Sequence, residues 1–151
     1  LTIGLGPNFV AGETTDLVVE TAWQALGRII EAGASLPLSG EPRPINGHGR
    51  ERYVYAPADG RFETVWKIGA GVAKGEPVAR IGDEVIRAPL DGCLRGITHA
   101  GASVQAGTKV VEIDPRGVPA KAFGIAERPR KLGLAVLAAM AGQRCAAVSS
   151  A

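Results

Sequence analysis

The pentapeptide Ala56-Pro-Ala-Asp-Gly60 returns as Ala88-Pro-Leu-Asp-Gly92, an offset of 32 residues, and no other feature restricts the fold as tightly. Aligned at that offset, residues 56–82 and 88–114 share ten identities over 27 positions without a gap. The shared glycines are Gly60/Gly92, Gly69/Gly101 and Gly75/Gly107, and the shared apolar positions include Val72/Val104, Val78/Val110 and Ile81/Ile113. Glycines and apolar residues held in register over this span mark an internal repeat.

Each copy reads as the same β element. Pro57 and Pro89 cannot donate to a ladder and push the preceding alanine into extended geometry, so each ends a strand. Asp-Gly then supplies a turn. A strand follows, its apolar face at Phe62 and Val65 in the first copy and at Leu94 and Ile97 in the second. The stretch Gly-Ala-x-Val-x-x-Gly reads as a loop, and a last strand carries Val78 and Ile81, or Val110 and Ile113. Two or three short strands are marginal alone in water, so the second copy is expected to supply the other half of one core.

This order of elements resembles the biotinyl/lipoyl-like barrel-sandwich hybrid, or hammerhead. The predicted fold is therefore mainly β, a barrel-sandwich hybrid of two repeated halves with an N-terminal β segment and a C-terminal α-helix. In carrier members of that fold a lysine between the halves bears the prosthetic group. The junction here, residues 80–87, contains no lysine and turns at Gly82-Asp83, so no covalently bound cofactor is expected.

The expected domains are an N-terminal glycine-rich β segment and linker (1–50), the sandwich (51–116, repeats 56–82 and 88–114), and a C-terminal strand, helix and tail (117–151). Gly 21 and Pro 10 in 151 residues, with 5% aromatics, favour short strands and tight turns. The net charge is +2 and the basic side chains are scattered, apart from Arg128, Arg130 and Lys131, which argues against a nucleic-acid partner. The longest apolar stretch, Leu134 to Ala141, is too short for a bilayer. Cys93 and Cys145 lack metal-site spacing and read as reduced thiols in a cytoplasmic protein. The opening Leu1 reads as the start of a fragment or a processed chain.

Leu1 to Gly12 runs a short strand into a glycine-rich loop in which Gly4, Gly6 and Gly12 would let a backbone approach a phosphate. The spacing is neither the dinucleotide fingerprint nor a P-loop, so a structural turn and a ligand loop both stay open. Residues 16–21 and 26–31 read as a hairpin, with a single helix as the competitor, and Gly33 to Arg50 as a connector. Lys121 to Ile125 reads as a strand. A helix is expected over Arg130 to Ala141 with Pro129 at its start and Gly142 as its stop. Leu132, Val136 and Met140 would form its buried stripe, and the Leu/Ala content would suit a homo-oligomer face. The tail 143–151 reads as frayed. Cys93, His48 and His99 read as incidental, and Asp59, Asp91, Glu112 and Asp114 as turn or surface residues. No catalytic or metal-ligating constellation is legible.

Taken together, the chain resembles the C-terminal part of the selenium-dependent molybdenum hydroxylase accessory proteins. The residues that carry the resemblance are Ile3-Gly-Leu-Gly-Pro7 with Ala11-Gly12, Val19-Glu-Thr21, Leu26-Gly-Arg-Ile29 and Glu51-Arg52. They continue through the two Ala-Pro-x-Asp-Gly stretches, Cys93-Leu-Arg-Gly96, Val104, Gly107, Ile113-Asp-Pro-Arg116, Gly133 and Val136-Leu137. The resemblance implies a non-catalytic maturation factor whose partner is a molybdenum hydroxylase and which handles selenium or the molybdenum cofactor. It also implies a preceding nucleotide-binding-like domain that this sequence lacks, and Asn8 stands where the family has glycine. The alternative is a nucleotide- or phosphate-binding part of a larger enzyme that uses the loop Gly4-Leu-Gly-Pro-Asn-Phe-Val-Ala-Gly12.

Overall fold

The computed structural model describes residues 1–38 and 40–148, with side chains through residue 142. The chain forms two compact units, one of residues 1–40 with 125 onward, the other of residues 41–124.

In the first unit β1 (Ile3–Leu5) pairs in parallel with β3 (Leu17–Val19), and β3 pairs antiparallel with β4 (Ile29–Ile30), as the hairpin reading of this stretch expects. A separate pair joins β2 (Val10–Ala11) to β5 (Gly33–Ala34). Leu17, Val18 and Val19 are all buried, the signature of a strand covered on both faces.

The helix of this unit, α1 (Glu127–Val148), is longer than the sequence suggests. It begins before Pro129, whose missing N–H costs nothing in a first turn. It runs through Gly142, because one glycine among alanines costs only about 1 kcal/mol. The expected stripe is also displaced. Ala135 and Ala139 are the buried positions, while Met140 is 40% exposed. A Cβ on Gly27 would lie 3.6 Å from the Ala135 methyl, so small residues on both sides set this contact. Of the tail read as frayed, residues up to Val148 are helical, and residues 149–151 and the Cys145 side chain lie outside the described set.

The second unit contains β6 (Tyr53–Tyr55), β7 (Gly60–Glu63), β8 (Gly71–Val72), β9 (Pro77–Ile81), β10 (Glu84–Arg87), β11 (Gly92–Ile97), β12 (Ser103–Val104) and β13 (Lys109–Asp114). They make two four-stranded sheets, ordered β10-β9-β7-β12 and β6-β13-β11-β8. The molecule is thus mainly β with one C-terminal α-helix among the described residues. The Gly-Ala-x-Val stretches are not plain loops. Each contributes a short edge strand, β8 against β11 and β12 against β7.

One apolar cluster joins the two sheets and holds Ala56, Phe62, Val72, Val78 and Ile81 together with Ala88, Leu94, Val104, Val110 and Ile113. Val65 falls outside it at 92% exposed, because β7 ends at Glu63. Hydrogen bonds recur at the 32-residue spacing. Phe62 N donates to Ala102 O at 2.8 Å and Leu94 N to Ala70 O at 2.9 Å. Asp59 accepts from Ala106 N and Asp91 from Lys74 N, both at 2.8 Å, so both aspartates tie turns as expected. The hairpin between β9 and β10 turns in two residues with Gly82 at φ 57°, the first position of a type II′ turn. Lys121 belongs to a 3-10 turn (Pro119–Ala122) and not to a strand. The ring of Phe123 fills the space a Cβ on Gly69 would need, at 2.7 Å, which holds that segment against the sheet.

Candidate functional site

Gly4, Gly6 and Gly12 have internal reasons for being glycine. A Cβ on Gly4 would strike the Phe9 ring at 2.5 Å. Gly6 has φ 86° and would meet Thr21 Oγ1 at 2.7 Å. Its N–H donates to Val19 O and its carbonyl accepts from Ser35 Oγ at 2.6 Å. Gly12, at φ 84°, donates to Thr15 O, and the N–H of Val10 goes to Thr14 Oγ1. A phosphate cradle needs such donors turned outward; the N–H groups of Gly6, Val10 and Gly12 are spent on the loop itself.

Beside this loop, where β1 and its parallel partner β3 both end, stands Glu20, 1% exposed. Its Oε1 accepts from the N–H groups of Thr21 and Ala22, and Oε2 from Leu36, each at 2.7 Å. Burial pushes this carboxyl up, but the donors from Leu36, Ala22 and Thr21 and the Arg28 charge outweigh it and hold the pKa below the ordinary glutamate value. Glu20 therefore acts as an ionised staple fastening the segment at Leu36 to the end of β3.

A denser constellation lies in the second unit, on the polar face of β6, β13 and β11. Glu112 and Asp114 alternate along β13, and Tyr53 lies directly opposite Glu112. Glu112 accepts from Arg52 Nη1 and Lys109 Nζ, both at 2.7 Å, with Arg95 Nε farther off at 3.4 Å. Asp114 takes both oxygens to the Arg116 fork, Nε at 2.9 Å, and meets Arg95 Nη1 at 3.3 Å. Lys109 Nζ lies 3.9 Å and Arg52 Cζ 4.7 Å from the Tyr53 ring centre.

Two irregularities assemble this face. Arg95 is the extra residue between the pairs Leu94/Ile113 and Gly96/Glu112, and Val110 is the extra residue between Lys109/Tyr55 and Val111/Val54. Such bulges re-aim side chains. Here they bring Arg95 and Lys109 to the side of Glu112 and Asp114. Of the turn or surface roles expected for Asp114 and Glu112, Asp114 has the turn role, its Oδ1 accepting from Arg116 N at 3.0 Å, while the surface placement is corrected: Asp114 is fully buried and the Glu112 side chain is 15% exposed.

The Arg116 side chain lowers the Asp114 pKa to about 2, against the effect of burial. Burial raises the Glu112 carboxyl, but hydrogen bonds from Lys109 and Arg52 bring it below the ordinary range. Cys93, paired with Asp114 across the ladder, is buried, and burial with the neighbouring carboxylate raises its pKa, which keeps it an unreactive thiol. The i, i+2, i+4 polar alternation of Glu112, Asp114 and Arg116 was readable in the sequence; the arrival of Arg52 from 60 residues away was not. Among the described residues no group of three His, Cys, Asp or Glu side chains is placed to hold a metal ion. No helix among them is long and apolar enough to cross a membrane.

No family model matches this sequence. Over 143 residues the chain is 38% identical to the uncharacterized protein YqeB of Escherichia coli (strain K12), covering 93% of this chain and 26% of YqeB. It thus spans about a quarter of the length of that relative. Among solved structures, the product-bound ectoine utilization protein EutE (DoeB) of Ruegeria pomeroyi aligns over 56% of this chain and 27% of that one. The identity is 22% and the TM-score 0.34.

Proposed function

We propose that this chain is the C-terminal part of a cytoplasmic accessory protein for a selenium-dependent molybdenum hydroxylase, serving in maturation as a non-catalytic binding module. The observation that carries the reading is the ordered set of residues resembling that family. Its support in the structure is that these residues set backbone shape and pair charges: Gly4 and Gly6 shape the first loop, Asp59 and Asp91 tie turns, and the buried Asp114 pairs with Arg116. Residues of this kind specify a scaffold and not a reaction centre.

The scaffold we propose is a barrel-sandwich hybrid of two repeated halves. Five apolar pairs at the 32-residue spacing share one core, and the bonds of Phe62 and Leu94 recur in the same pattern, which supports this reading. The two-residue turn at Gly82-Asp83 offers no lysine for a swinging prosthetic group. The proposed partner is the hydroxylase itself.

Deleting the gene for the full-length protein and measuring selenium and molybdenum per purified hydroxylase tests the proposal. Reduced content of either element is the expected result, and unchanged content of both overturns it.

A further inference from the structure

We propose that the polar face of β6, β13 and β11 binds a doubly charged oxyanion, received by Arg95 and Arg116 with Lys109 at its side. Four cations, Arg52, Arg95, Lys109 and Arg116, face the two carboxylates of Glu112 and Asp114, which leaves two positive charges in surplus. The surplus is not shared evenly. Arg52 and Lys109 hold Glu112 at 2.7 Å and Arg116 grips Asp114 as a fork, whereas Arg95 reaches those same carboxylates at 3.4 and 3.3 Å. Arg95 is therefore the cation whose donors are least committed to either carboxylate.

It is also presented outward. The side chains of Arg95, Arg116 and Lys109 are 28%, 30% and 42% exposed, while Arg52 is buried at 3%. Arg95 occupies a bulge, so the backbone departs from regular pairing where this guanidinium joins the cluster. A guanidinium presents five N–H donors in a planar fork that matches a tetrahedral oxyanion, and Arg95 uses two of its nitrogens in long contacts. Both carboxylates remain ionised at neutral pH, so the surplus does not depend on their titration. The Tyr53 ring lies against both Arg52 and Lys109, holding Arg52 within the face and Lys109 at its rim.

The test is calorimetric titration of inorganic phosphate into the folded chain at low ionic strength. The variants are Arg95→Gln, Arg95→Lys and, as a control, Arg80→Gln, whose arginine pairs with Glu63 elsewhere. Saturable binding is expected, weakened about tenfold or more by Arg95→Gln, severalfold by Arg95→Lys, and unchanged in the control. Arg95→Lys keeps the charge and the ion-pair framework, so it carries the comparison if the glutamine variant unfolds. A phenyl phosphate arm distinguishes the head group of an ester, bound as tightly as phosphate, from a free ion, bound in preference to it. Absence of saturable binding, or equal affinity in wild type and either Arg95 variant, overturns the proposal.

Discussion

Replacing Asp114 by asparagine keeps the side-chain shape and removes one buried charge. In the native chain that charge faces Arg116 on both oxygens and Arg95 on one, and its pKa is lowered from 3.8 to about 2. A shift of that size corresponds to about 2–3 kcal/mol of stabilisation at neutral pH. Breaking a fully buried pair costs about 3–5 kcal/mol, but Arg116 and Arg95 can turn partly to water, which places the loss at the lower end. For a chain of this size the expected fall in Tm is about 5–10 °C at pH 7.

The pH dependence sharpens the expectation. Because the folded-state pKa lies below the unfolded one, the contribution is complete above the ordinary aspartate value and is lost as pH falls through about 2. Thermal unfolding of wild type and Asp114→Asn, followed by circular dichroism from pH 7 downward, should show a constant gap to about pH 5 that closes near pH 2. Protonated aspartic acid and asparagine then present the same uncharged shape to Arg116. A gap below about 0.5 kcal/mol at pH 7, or one equally wide at pH 2, would refute the assignment of Asp114 as a charged keystone.

Gly92→Ala should destabilise by at least about 3 kcal/mol in denaturant unfolding, since its Cβ would lie 2.3 Å from the Asp114 carbonyl oxygen, a backbone atom held in the β11–β13 ladder. Gly71→Ala, whose Cβ meets nothing within 4 Å, should stay within about 0.5 kcal/mol, and equal effects of the two would contradict the packing described. Glu20→Gln turns an amide NH2 toward backbone donors and should cost about 1–2 kcal/mol and speed amide exchange at Leu36. The lowered folded pKa of Glu20 means that its contribution is whole above the ordinary glutamate value and fades at lower pH, so the variant's deficit should shrink on acidification. Unchanged exchange at Leu36 would remove the staple role.

The apolar pattern was legible because burial is a property of residue type and spacing. Phe62, Val78 and Ile81, and likewise Leu94, Val110 and Ile113, occupy the core their positions announce, and Asp59 and Asp91 tie turns as short acidic side chains before glycine do. Val65 stands three positions from Phe62, so strand alternation sets the two on opposite faces, and β7 ends at Glu63 before reaching it. The helix passes Gly142, which has the local look of a stop, because one glycine costs little against a run of alanines that can pack closely. Of the candidate site, the loop glycines were visible but their partners Phe9 and Thr21 were not. A residue's need to be glycine does not reveal whether the crowding atom is internal or a ligand.

By itself, then, the sequence determined where apolar strands and turns fall between residues 56 and 114, since those follow from local chemistry that residues 56–82 and 88–114 have in common. Tertiary structure alone decided that Arg52, Arg95, Lys109 and Arg116 converge on two carboxylates. Convergence from four chain positions depends on strand order and on two bulges, and neither leaves a periodic mark in the residues themselves.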